Sequence, residues 1–322
     1  MTLKDRKILI TGGAGFIGST LAERLIPDNE VVIYDNLSRN SLAAKAVRSH
    51  PNLRLIEGDV LDSLRLAEAM EGCSHVVHCA AIAGINTVSS RPVKTMEVNL
   101  LGSSNVLAIA NAQGGIERVL CLSTSEVFGR QAFRCKETDS CVIGAMGEPR
   151  WTYAVAKLAE EHLASAYFLE FGLPIVVLRP FNVYGPGQVG EGAIRNFILG
   201  ALANEELRIF GDGSQIRSWC FIDDMIEAIY RALVAPAAIG RSFNVGNPVA
   251  SITIHQLAHM IVDLVGSSST IRNIDAPQVD VDLRIPDVGL MRDTMGFEAR
   301  IGLRDGILRT AAYYRAQANA SA

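Results

Sequence analysis

The 322-residue chain lacks most of the features that announce a function directly. Its six cysteines, Cys73, Cys79, Cys121, Cys135, Cys141 and Cys220, include no C-x-x-C pair, which argues against zinc ribbons and redox dithiols. Cys79 and Cys121 fall in apolar runs and read as small core residues, and the spacing of Cys135 and Cys141 fits neither a zinc nor a disulfide pattern well. No metal is expected, and a reduced, cytoplasmic setting is the default. No apolar run approaches the length of a membrane span, and "MTLKDRKILITGG" has too few apolar residues before its glycines for a signal peptide. Charge is not lopsided either, with 30 Lys and Arg against 34 Asp and Glu for a net −4. That gives no electrostatic footprint for nucleic acid or an anionic membrane. What remains is a chain 49% hydrophobic, long enough to build its core without covalent staples.

Short β-rich runs recur along it: "KILIT", "EVVIYD", "LRLIEGD", "HVVHCA", "RVLCLS" and "PIVVLRP". They are apolar on both faces, which suits a parallel sheet covered on both sides. Between them lie helical patterns at Ser19–Leu25, Leu64–Met70, Val93–Ala112 and Thr152–Phe171. Strict alternation predicts an α/β fold, a Rossmann-type doubly wound parallel sheet, over residues 1–180. Past Pro180 the rhythm loosens, and residues 181–322 are expected mainly as a smaller mixed α/β lobe for substrate, with some segments returning to the sheet. Ligands of such sheets bind at the carboxyl ends of the strands, where this lobe would close a cleft.

"ILITGGAGFIGS" follows the first strand and enters the first helix. Gly12 permits a tight turn, Gly15 lets backbone approach a pyrophosphate, and Gly18 allows close packing of helix on sheet. The helix N-terminus, with Phe16 and Ile17, adds amide donors and partial positive charge. The next strand ends in "YDN", placing Asp35 and Asn36 where an acid accepts hydrogen bonds from an adenosine ribose. A carboxylate there repels a 2'-phosphate, so NAD is expected over NADP; Arg39 is the residue that argues the other way. In "EGDV", Asp59 with Val60 either meets the adenine amino group or caps the helix beginning near "LDSL".

Tyr153 and Lys157 in "WTYAVAK" are four apart, on one helix face. A neighbouring ammonium lowers the pKa of a phenol, about 10 when unperturbed, so the pair is a candidate base. Taken together, "TGGAGFIGS", "YDNLS", "GDV", "HCAA", "STSEVFG", "YAVAK", "LRPFNVYGPGQ" and "GDGSQIRSWCFIDD" resemble the extended short-chain dehydrogenase/reductase superfamily. The branch is that of NAD-dependent nucleotide-sugar epimerases and dehydratases. The resemblance implies a trio of Thr124, Tyr153 and Lys157 that oxidises a sugar at C4. Asn99 becomes a structural or cofactor-side group, Asn182 a contact to substrate phosphates, and Arg217 a holder of the diphosphate. Arg284 is a second candidate for that duty, or a surface ion pair. Relatives also pair through their long helices, so a homodimer is implied.

"TSE" divides the branch further. A 4-epimerase needs no acid or base beyond the trio, whereas chemistry at C5 does. Glu126, two residues past Thr124, would project to the same side if the segment stays extended; the alternatives are a solvated glutamate or a helix cap. Thr-Asp-Glu marks one set of 4,6-dehydratases, and here the middle residue is Ser125. Thr-Ser-Glu resembles UDP-glucuronate decarboxylases and guanosine-diphosphomannose dehydratases, with decarboxylation slightly favoured. "YGPGQVGEGAI" departs from decarboxylase wording. His78 is expected to be structural at the sheet edge, and His255 and His259 to be surface residues.

Overall fold

The computed structural model describes residues 2–275 and 281–321. The first five apolar runs become β1 (Lys7–Thr11), β2 (Glu30–Asp35), β3 (Leu53–Glu57), β4 (His75–His78) and β5 (Arg118–Leu122). Between them come α1 (Phe16–Leu25), α2 (Ser63–Met70), α3 (Ile85–Ser90), α4 (Pro92–Met96) and α5 (Gly102–Gln113). After β6 (Gln131–Cys135), the alternation resumes with α6 (Thr152–Phe171) and β7 (Ile175–Pro180). The rest runs β8 (Val183–Tyr184), α7 (Ala193–Leu202), β9 (Leu207–Phe210), β10 (Ile216–Ser218), β11 (Cys220–Phe221) and α8 (Ile222–Val234). It ends with β12 (Arg241–Val245), β13 (Ser251–Thr253), α9 (Ile254–Val265), β14 (Ile271–Ile274), β15 (Leu283–Pro286), α10 (Gly289–Met295) and α11 (Leu303–Ser321).

Seven strands form one parallel sheet in the order β12-β7-β5-β4-β1-β2-β3. Ile8, Leu9 and Ile10 of β1 are fully buried, as both-face coverage requires. Strand order reverses between β1 and β4, and a crevice opens there beyond the strand ends. A second sheet, β13-β10-β15-β6, lies in the C-terminal half but borrows β6 from the N-terminal half. In exchange, β12 returns to the large sheet, and α8 packs on α1. The two halves are therefore interleaved, and the site between them draws on both.

The expected helix Val93–Ala112 is interrupted by a π-turn at Glu97–Leu101. Asn99 sits in that turn, fully buried, and both ends of its amide bind the backbone of Ile82, at 2.7 Å and 2.9 Å. Turns of this kind inside helices reorient a side chain; here the result fixes the loop after β4.

Helix α6 is locked to the sheet by charge. Glu161 receives Arg179 of β7 through Nε at 3.0 Å and Nη2 at 2.7 Å, and the Ser123 hydroxyl also donates to it. All three are buried, so losing one partner strands the other without water. Glu161→Gln is expected to destabilise the fold by about 3–5 kcal/mol, read as a lower denaturant midpoint. A change within about 0.5 kcal/mol, the scale of ordinary surface substitutions, would show that this lock is not needed.

Candidate active site

The glycine loop forms as its spacing predicts. Gly12 has φ +67°, and a Cβ there would lie 2.5 Å from the Ala80 amide nitrogen, so a side chain is excluded on two counts. A Cβ on Gly18 would meet Gly13 Cα at 2.6 Å, which ties close helix packing to that glycine. Gly15 is the N-cap of α1, and the helix opens into a cleft of about 920 Å³. Gly12, Gly15, Phe16, Ile17, Gly18, Asp35, Asn36, Asp59 and Val60 all line it.

Asp35 stands at the end of β2, buried in the wall, its carboxylate accepting the backbone amides of Ala14 at 3.0 Å and Leu37 at 2.7 Å. Burial raises its carboxyl, and those amides work against the rise. It therefore braces the glycine loop while retaining lone pairs for a ribose. Asp59 does not cap α2; Asp62 does, accepting from Arg65, and Asp59 instead closes its own turn onto Leu61. Asn99 is absent from the cleft wall, acting one step back through Ile82. Arg39 lines the cleft with its guanidinium turned to Thr87 at 2.9 Å and Glu191 at 4.0 Å.

A second cavity of about 300 Å³ adjoins the first, sharing Ile17, Cys79 and Leu122 with it. Its wall gathers Thr124, Ser125, Glu126, Tyr153, Lys157, Asn182 and Arg284 from both halves of the chain. Thr124 hydrogen-bonds the Tyr153 side chain. Burial pushes the Tyr153 phenol up, with Glu126 and Glu160 adding to the rise while Lys157 and Thr124 pull it down. The lowering expected from Lys157 is there in sign, but burial and the carboxylates outweigh it. Lys157 is itself buried and paired with Glu160 at 2.7 Å.

Glu126 reaches this wall by a different route from the one its spacing suggested. The strand ends at Leu122, and Ser125–Phe128 form a 3-10 turn capped by Thr124, whose Oγ1 accepts from the Glu126 amide at 3.2 Å. The turn still delivers the carboxylate beside Thr124, and Arg284 meets it at 3.5 Å with Arg150 at 4.0 Å. The surface alternative for Arg284 is excluded, since its side chain is 3% exposed. Arg217 lies in register beside Arg284 across β10 and β15 but lines neither cavity.

Three further expectations resolve simply. His78 is structural, yet central rather than at an edge, between Thr11 at 2.6 Å and Ser103 at 2.9 Å. His255 and His259 are exposed on α9. All six cysteines are free. Sequence reasoning missed Arg150 and Glu160. Arg150, ahead of the tyrosine motif, resembles a loop arginine; Glu160, three residues past Lys157, carried the only available hint, its i,i+3 spacing.

A profile of the NAD dependent epimerase/dehydratase family matches residues 8–246. A UDP-N-acetyl-alpha-D-glucosaminuronate decarboxylase of Bacillus cytotoxicus is 32% identical over 96% of this chain and 98% of its own length. UDP-glucuronic acid decarboxylase 1 of Xenopus tropicalis is 32% identical over 97% of this chain and 73% of its own. Among solved structures, UDP-glucuronic acid 4-epimerase from Bacillus cereus, in complex with UDP-glucuronic acid and NAD, superposes with a TM-score of 0.88. It is 27% identical, covering 97% of this chain and 99% of that one. With the glycine cradle, the Asp35 wall and the Thr124–Tyr153–Lys157 wall already in place, the agreement is complete from sequence to fold: the chain belongs to the NAD-dependent epimerase/dehydratase family.

Proposed function

We propose that the protein decarboxylates a UDP-linked hexuronate through a transient ketone at C4. The observation that carries this reading is the pairing of Glu126 with Arg284 in the wall of the cavity that also holds Thr124 and Tyr153, with the buried Arg150 4.0 Å from the same carboxylate. A guanidinium suits a sugar carboxylate by shape and charge, and Glu126 beside it supplies the acid or base that chemistry at C5 needs and that a 4-epimerase does not. The decarboxylases among the similar proteins act on UDP-linked uronates by their names.

Thr124 hydrogen-bonds the 4-hydroxyl while Tyr153 accepts its proton, with Lys157 stabilising the phenolate. The glycine loop and Asp35 would hold NAD, which would supply the acceptor for the C4 hydride and later its donor. Once C4 is a ketone, the C6 carboxylate is β to it, and the C5–C6 bond can break with its electrons passing into the enolate. Arg284 orients the carboxylate before it leaves, and Glu126 manages the proton returned to C5. Asn182, the candidate phosphate contact, also lines the cavity.

Purified protein supplied with UDP-glucuronate or UDP-N-acetylglucosaminuronate should release carbon dioxide and a UDP-pentose. A product of unchanged mass would mean epimerisation instead. Glu126→Gln should cut turnover by about 10²–10⁴-fold, the usual share of a positioned acid or base, with NAD affinity unaltered. Because Glu126 pushes the Tyr153 phenol up, the same substitution should move the acid limb of kcat to lower pH. A limb that stays put would separate the two residues.

We further propose a homodimer built on α4–α6. Val93 and Leu101 are 71% and 53% exposed, and Val155 on the neighbouring α6 is 42% exposed, an apolar face of adjoining helices. Sedimentation should give twice the chain mass, falling to one on Leu101→Asp with Val155→Asp. No helix among the described residues is long and apolar enough to cross a membrane.

A further inference from the structure

Lys157 is sealed from water, 1% exposed, and so is the residue it binds, Glu160, at 0%. The two are one helical turn apart on α6, with Nζ 2.7 Å from Oε2. A lone ammonium in such a position sheds its proton rather than stay charged, and a neutral amine gives a phenolate no support. Something must hold the charge.

The candidates can be counted off element by element. On α6, Glu161 is already engaged by Arg179 and Ser123. On β5, burial pushes the Cys121 thiol well up, and just past β4 it pushes Cys79 up to about 12, so both stay neutral. On β4, burial first and then Lys157 press His78 down to about 3, so its ring carries no charge. On α5, Ser103 is neutral, lying against Glu160 and hydrogen-bonded to His78. Glu126 also raises Tyr153 and is taken by Arg284 and Arg150. Burial alone would lower the Lys157 ammonium, yet Glu160 and Tyr153 together hold it above its ordinary range.

Resting on the reading of Tyr153 as base, we propose that Glu160 is a positioning residue, a buried counter-ion that keeps Lys157 charged and aimed at Tyr153 and so sets the pH window of the reaction. The Glu160 carboxylate acts on the phenol in two opposed ways. It preserves the ammonium that lowers Tyr153, and its own charge raises Tyr153.

Glu160→Gln keeps the shape and removes the charge. Tyr153 then loses a negative neighbour and Lys157 loses its counter-ion, so both limbs of the kcat profile should move to lower pH, by about one unit or more. A profile scaled equally at every pH, with neither limb displaced, would overturn the proposal. A thermal-unfolding cycle needs no substrate: Glu160→Gln should melt well below wild type, and Lys157→Met with Glu160→Met should recover much of the loss. Should the single variant fail to fold, a folded double variant supports the assignment and an unfolded one contradicts it. An absence of turnover in the wild type would count against the decarboxylase reading alone, since the melting cycle still tests the pairing of Lys157 with Glu160.

Discussion

The seat of α6 on the sheet governs the site. Glu161 and Arg179, with Ser123, fasten the helix to β7 and to the end of β5, and that one attachment fixes the rotation of α6. With Glu161 turned into the sheet, Lys157 and Glu160 on the adjoining face point beneath the crevice, and Tyr153, one turn earlier, reaches its wall. A helix held only by apolar contacts could settle in more than one rotation, because its apolar residues run most of the way round. The charged attachment admits one. It is costly to break for the same reason that it specifies: neither partner can be left in a dry interior alone.

Around that seat the buried charges are sorted into assigned groups. Glu161 belongs to Arg179, Glu160 to Lys157, and Glu126 to Arg284 and Arg150. The first group fastens α6 to the sheet, the second is the one proposed to tune the base, and in the third Glu126 and Arg284 line the cavity where a sugar carboxylate would sit. Their separation lets neighbouring residues carry different duties: Glu160 and Glu161 are adjacent in sequence and serve adjoining faces of one helix. Low local dielectric strengthens each pairing and penalises any exchange of partners.

Much of this was legible in the chain because local patterns were consistent with the fold. The two-faced apolar strands, the glycine loop, Asp35 at a strand end and the Tyr153–Lys157 spacing all depend on short stretches. What stayed hidden depends on contacts between distant segments. Arg284 is 158 residues from Glu126, and no periodicity in β15 distinguishes it from a surface arginine. The route of Glu126 was misjudged because a 3-10 turn, capped by Thr124, replaces the extended backbone that alternation assumes. The break at Asn99 was hidden for a related reason: a π-turn keeps helical composition, and only the hold of Asn99 on the Ile82 backbone explains it. The interleaving through β6 likewise follows from which sheet has a free edge, something a single strand sequence does not carry.

The account stands on carbon–carbon cleavage at C5 following a ketone at C4. Turnover of UDP-glucuronate in deuterium oxide, with the product examined by mass spectrometry and proton NMR, tests it most directly. The predicted result is a UDP-pentose bearing one deuterium at C5, formed with one equivalent of carbon dioxide. A six-carbon product with its C5 hydrogen retained would contradict it.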